Sequence, residues 1–147
     1  MRQTRKQLGK FLSKRPWLLA DGATGTELFN MGLSAGESPE LWNATNSKKI
    51  VNLYNNSINA GVDLFLTNSF GSNISRLKLH YADKRSHELS RISAEIGREC
   101  VDKILRTVLV AGSMGPTGEL LKPFGRLSYE DAVEIFHIQA DGLKIGG

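Results

Sequence analysis

Three short apolar runs recur along this chain at almost equal spacing, each followed by a helix-like pattern. They begin near residues 18, 62 and 107, so the intervals are 44 and 45 residues. The first is Trp17–Ala20, the second is Val62-Asp63-Leu64-Phe65-Leu66-Thr67, and the third is Thr107-Val108-Leu109-Val110-Ala111. Runs of four to six residues rich in Val, Leu and Phe read as buried strands. After the first, Asn46-Ser47 offers an N-cap, with Ile50, Tyr54 and Ile58 on one helical face and Gly61 as the stop. After the second, Ser86 is expected to cap a helix whose inner face is Leu89, Ile92, Ile96, Cys100 and Ile104. After the third, Ser128-Tyr129-Glu130-Asp131 resembles a capping box. Its helix carries Val133, Phe136, Ala140 and Leu143 on one face and stops at Gly146-Gly147. Three βα units in succession imply a parallel sheet with right-handed crossovers. The double glycine stands where a fourth strand should begin, so the chain reads as cut at a module boundary.

The loops that follow the strands choose between parallel folds. A doubly wound dinucleotide fold would place G-x-G-x-x-G after the first strand, and a P-loop would place GK[ST] there. Neither is present. Instead each strand ends in small polar residues: Asp21-Gly22-Ala23-Thr24-Gly25-Thr26, then Thr67-Asn68-Ser69-Phe70-Gly71, then Gly112-Ser113-Met114-Gly115-Pro116-Thr117-Gly118-Glu119. In a TIM barrel the functional groups come from these strand ends. The expected fold is therefore α/β, of the (βα)8 type, with only the first three βα units in these residues.

The first loop sets a carboxylate beside a set of uncrowded backbone N–H groups. A ligand with an ammonium and a carboxylate, such as an amino acid, suits it on both counts. A plain strand-to-helix turn, with Asp21 satisfying local amides, accounts for the same hexapeptide. Phosphate binding by Gly112–Gly118 is disfavoured, because no Lys or Arg lies within that loop.

Charge divides the chain into a leader, 1–16, and a domain, 17–147. The net charge of +4 is local to the leader, which holds Arg2, Arg5, Lys6, Lys10, Lys14 and Arg15 and no acid. Without those six, 13 basic residues face 15 acidic ones. The leader lacks the interleaved aromatics of a nucleic-acid arm, and at this length it makes a poor transit peptide. A short helix with Leu8, Phe11 and Leu12 laid against the domain is the expectation. No nucleic-acid or membrane partner is expected, since no apolar run approaches the ~20 residues of a span. The single Cys100 fits a reducing, cytoplasmic compartment.

The segments LLADGATGT, SAGESPELWN, GVDLFLTNSFGSNISRLKLH, VLVAGSMGPTGE and YEDAVEIFHIQADGLKIGG, in that order, resemble the homocysteine S-methyltransferase family. The resemblance runs from about residue 17 to the end. It includes betaine–homocysteine methyltransferases and the homocysteine module of cobalamin-dependent methionine synthase, with the bacterial betaine-type enzymes most similar in wording. It implies a barrel that binds homocysteine and a small methyl donor, with zinc held by three cysteine thiolates activating the homocysteine sulfur. It further implies that Asp21 lies near the substrate amino group and the backbone of Gly22, Ala23, Thr24, Gly25 and Thr26 near its carboxylate. Thr67, Asn68, Ser69 and Phe70 would line the pocket from the second strand, and Gly115 and Pro116 from the third. No catalytic residue is identifiable. The family's zinc cysteines, like its acid for the substrate amine, lie on later strands and are absent here, and Cys100 reads as core. Two expectations follow: the N-terminal part of a zinc-dependent methyltransferase, inactive alone, or a non-catalytic amino-acid-binding piece, including one chain of a split barrel. A complementing chain or a homo-oligomer is the expected protein partner.

Overall fold

The computed structural model describes residues 8–13 and 16–147. Residues 8–13 are helical, with Leu8 and Leu12 exposed; leader residues 1–7, 14 and 15 lie outside the described residues. Ten short elements follow, of which six helices and two strands carry the architecture. They are α1 (Thr24–Asn30), α2 (Trp42–Thr45), α3 (Ser47–Asn59), β1 (Leu64–Leu66), α4 (Ile74–Lys78), α5 (Ser86–Val101), β2 (Leu109–Ala111) and α6 (Tyr129–Gly146). One-turn 3₁₀ helices stand at Pro39–Leu41 and Asp83–Arg85.

β1 and β2 pair in parallel, with Leu64 opposite Leu109 and Leu66 opposite Ala111. The first expected strand is reduced to one bridge, Ala20 to Leu64. It is not buried either: Trp17 is 57% and Leu19 48% exposed. The reason is local. The Leu19 N–H goes to the Asp63 carboxylate at 2.8 Å, while its carbonyl accepts from both Asp63 and Leu64. A side chain has taken the place of a rung in the ladder.

The helices cover one face of this sheet. Ile50, Leu53, Tyr54 and Ile58 of α3 recur at helical spacing and are buried with Phe65, Ile96, Cys100, Val101 and Val108. The Tyr54 and Phe65 rings lie 4.7 Å apart. Val62, one end of the alternation in the second run, joins this core. Gly61, at φ 92°, supplies the left-handed residue that turns the chain from α3 towards β1.

Two expected caps behave differently. Ser128 accepts the Asp131 N–H at 3.0 Å and donates to its carboxylate, as the capping pattern requires. Asn46 sits at the N-cap of α3 without a side-chain capping bond, its amide donating to Thr45 Oγ1, and Ser86 opens α5 but donates to the Ser72 carbonyl at 2.6 Å. Ser86 thus ties α5 to the loop after β1. Ile104 falls beyond the end of α5.

The face of α6 also differs from expectation. Its buried positions are Ala132, Gln139, Gly142 and Gly146, whereas Val133 and Ala140 are exposed. Packing against α5 is too close for larger residues: a Cβ on Gly142 would lie 2.5 Å from the His87 carbonyl. Small residues set the spacing, and hydrophobicity alone points to the wrong stripe.

Candidate functional site

The loops after Ala20, β1 and β2 meet at one end of the sheet, around a cavity of about 300 Å³. Its wall includes Thr24 and Gly25 from the start of α1, Thr67, Asn68 and Phe70 after β1, Ser113 after β2, and Glu40 from the 3₁₀ turn. The three strand ends thus converge, as parallel α/β sites do.

The loop after β1 is the most tightly held part. The Asn68 backbone N–H donates to the Tyr54 hydroxyl oxygen at 2.7 Å, and its side-chain amide donates to the Pro39 carbonyl and to Asn43 Oδ1. Asn43 in turn donates to the carbonyls of Asn68 and Leu89. Thr67 Oγ1 accepts the Ser113 N–H at 3.0 Å, and the Ser69 hydroxyl donates to the Ser113 carbonyl at 2.8 Å. Gln139 reaches from α6 to the Ser69 carbonyl at 2.6 Å. Asn73 caps α4 through its oxygen and turns its amide to the carbonyls of Gly115 and Pro116. Burial in this network pushes the Tyr54 phenol well above its ordinary range, so it stays protonated.

The loop before α1 is built differently. Ala23 adopts a left-handed conformation at φ 56°. The first intrahelical bond of α1 runs from Glu27 N–H to the Ala23 carbonyl, so the amides of Thr24, Gly25 and Thr26 lack helical partners, as in any first turn. Asp21 Oδ1 accepts the Leu66 N–H at 3.1 Å. Partial burial raises the Asp21 pKa, and hydrogen bonds from backbone amides oppose the rise.

The residues singled out from sequence are therefore distributed as follows. Thr24, Gly25, Thr67, Asn68 and Phe70 border the cavity. Asp21 and Gly22 border a neighbouring cleft with Glu27, Asn56 and Ser57. Ser69 is buried beneath the loop, Gly115 lies under the Phe70 ring, and Pro116 offers its carbonyl to Asn73. Ala23 and Thr26 are exposed. Glu40, Pro39 and Ser113 line the cavity without having been singled out. For Glu40 and Pro39 the available signal was the segment SAGESPELWN.

Among the described residues no group of three His, Cys, Asp or Glu side chains could hold a metal. Cys100 is buried in the α5 core, and burial raises its thiol pKa. Its surroundings suit an inert core thiol, not a ligand.

A family model described as homocysteine S-methyltransferase matches residues 18–147. The methionine synthase of Mycobacterium tuberculosis is 30% identical over 139 residues, covering 88% of this chain and 12% of that protein. That of Mycobacterium leprae is 29% identical over 139 residues, again 88% of this chain and 11% of its own. Among solved structures, the metallated form of the homocysteine methyltransferase MmuM from Escherichia coli superposes with a TM-score of 0.79 at 26% identity. The match covers 96% of this chain and 54% of MmuM. This chain thus spans about half of the solved relative's length and about an eighth of the two synthases.

Proposed function

Because the chain belongs to the homocysteine S-methyltransferase family, we propose that the complete protein moves a methyl group from a small donor to the sulfur of homocysteine, giving methionine. In balance, the donor–methyl bond breaks, an S–CH₃ bond forms, and the thiol proton is released. These residues would supply the first three βα units of a (βα)8 barrel, carrying part of the homocysteine pocket.

One observation carries this reading: three successive strand ends converge on a single cavity with unpaired amides on one wall and buried hydroxyl and amide groups on the other. The amides of Gly22–Thr26 suit a carboxylate, with Asp21 beside them as the negative charge for an ammonium. Thr67, Asn68 and Phe70 position the amino acid from the second strand, with Ser69 buried behind them, and Gly115 and Pro116 of the third support that wall through Phe70 and Asn73. These residues bind and orient; none of them is assigned a bond-breaking step.

Zinc, which the family resemblance implies, does not fit the residues present. Cys100 is enclosed in the core and has no partner ligands among the described residues. Any zinc ligands would come from outside these 147 residues, and no step is derived through the metal. The half-exposed sheet face, with Trp17, Leu19 and Leu66 open to solvent, supports completion by further strands from the same or another chain. Alone, these residues would bind without turnover. Among the described residues no helix is long and apolar enough to cross a membrane, and a cytoplasmic site of action belongs to this proposal.

The test is methyl transfer by the complete protein, using a methyl-labelled donor and homocysteine. Labelled methionine is expected. Asp21→Asn should weaken homocysteine binding by about 1.5–3 kcal/mol, the worth of a charge-assisted hydrogen bond, without lowering the melting temperature. Unchanged affinity with a sharp fall in melting temperature would make Asp21 a turn residue only.

A further inference from the structure

Glu40 is a buried acid in the cavity wall with no ion-pair partner among the described residues. It is 6% exposed. Its two oxygens are divided between two donors: Oε1 accepts the Gly71 N–H at 2.7 Å, and Oε2 accepts the Ser38 hydroxyl at 2.7 Å. A carboxylate is costly to hold in such a place unless hydrogen bonds stabilise it. What it holds is the far end of the loop after β1.

Gly71 follows Phe70, whose carbonyl accepts the Gly115 N–H at 2.8 Å. The Phe70 ring, 60% exposed at the cavity edge, lies over Gly115 so closely that a Cβ there would stand 2.6 Å from it. A Cβ on Gly71 would likewise meet Glu40 Oε1 at 2.7 Å. The contacts form a chain: Ser38 to Glu40, Glu40 to Gly71, Phe70 to Gly115. Nothing else among the described residues takes the Gly71 N–H.

We infer that Glu40 is a positioning residue of the substrate pocket: its carboxylate pins the Gly71 amide and so fixes where Phe70 bounds the cavity. This rests on the pocket being the homocysteine site proposed above. The inference requires geometry and not charge. A glutamine at 40 can reproduce both bonds, its oxygen accepting from Gly71 and its amide donating to the Ser38 hydroxyl.

The experiment uses the complete protein, with homocysteine affinity by calorimetry, steady-state kinetics and melting temperature. Glu40→Ala should raise the homocysteine Kd and KM about tenfold while kcat at saturation stays within about threefold, because a misplaced wall is felt on binding. Glu40→Gln should restore affinity to within about threefold of the parent. Gly71→Ala should also cost about tenfold, but should add nothing to Glu40→Ala, where no carboxylate remains to collide with. If Glu40→Ala fails to fold, Glu40→Gln and Gly71→Ala decide by the same criteria. A glutamine variant as weak as the alanine one would mean that the charge meets the ligand directly, and the inference falls. Unchanged affinity with a lower melting temperature, or additive effects of the two substitutions, overturns it as well. A parent protein that binds no homocysteine overturns the proposed function itself, which separates the two failures.

Discussion

The two loops that face each other across the cavity are built on opposite plans. After β1, Thr67, Asn68, Ser69 and Asn73 are all buried, and their polar groups are tied to α2, α3, α6 and the loop after β2. Before α1, Gly22, Ala23, Gly25 and Thr26 are exposed, and Asp21 holds its place by donating its N–H to the Leu64 carbonyl and accepting the Leu66 N–H on its carboxylate. One wall is preorganised by the rest of the chain. The other keeps its amides free, which is what a wall that meets a ligand's carboxylate has to do. Preorganisation lowers the ordering cost of binding, so the contrast sets a braced side against one whose amides stay available, the side that the proposed function gives to the carboxylate.

Breaking the rigid wall should have the largest effect. Asn68→Ala strands the Asn43 side-chain oxygen and the Pro39 carbonyl in a buried setting, and each unpaired group costs about 1–3 kcal/mol. A loss of about 2–4 kcal/mol in urea unfolding is expected. A loss below the cost of a single unpaired group would mean that water replaces these bonds and that the wall is less rigid than its hydrogen bonding suggests.

The open wall should respond in the other direction. Ala23 carries a Cβ in the left-handed region, where that conformation costs about 1–2 kcal/mol. Ala23→Gly should raise stability by about 0.5–1 kcal/mol once the greater freedom of unfolded glycine is subtracted. A destabilised variant would show that the Ala23 methyl packs usefully and that this loop too is held by contacts.

The smallest expected effect sharpens the contrast through pH. The folded-state pKa of Asp21 is raised above the ordinary 3.8, so the folded chain binds this proton more tightly than the unfolded one. Stability from this group is therefore present below the unfolded value and lost as pH rises through the raised value. Relative to Asp21→Asn, the parent should lose stability over that window and run parallel to it at higher pH. Melting temperatures taken at closely spaced pH values check the sign. A parent that gains stability over the same window would place Asp21 in a stabilising ion pair.

Where periodicity carries the signal, the sequence was readable. The α3 face of Ile50, Tyr54 and Ile58 and the order of the strands β1 and β2 follow from spacing, and the Ser128–Asp131 cap follows from chemistry. The failures share a different cause, which is a side chain intruding where pattern rules assume backbone. Asp63 takes the Leu19 N–H and thins the first strand, and Ser86 turns to Ser72 instead of capping α5. On α6 the stripe of Ala132, Gln139, Gly142 and Gly146 is chosen by closeness to α5, and hydrophobic ranking cannot see it. Within the site, Thr24, Gly25, Thr67, Asn68 and Phe70 border the cavity, while Glu40 was hidden by its own type. An acid reads as solvent-facing until a structure shows what it accepts.

Gln139, fully buried behind the cavity wall, gives the pocket an adjustment screw. Its amide, carried by α6, spans the carbonyls of Ser69 and Ser113 and so fixes the gap between two loops that a ligand would sense. The α5–α6 glycine contacts set how deep that helix lies, and hence how far the amide reaches. Substitution on this helix, which lines no part of the cavity, should thereby change the cavity's width. A designer seeking a wider or narrower pocket, with every lining side chain left in place, would begin at position 139.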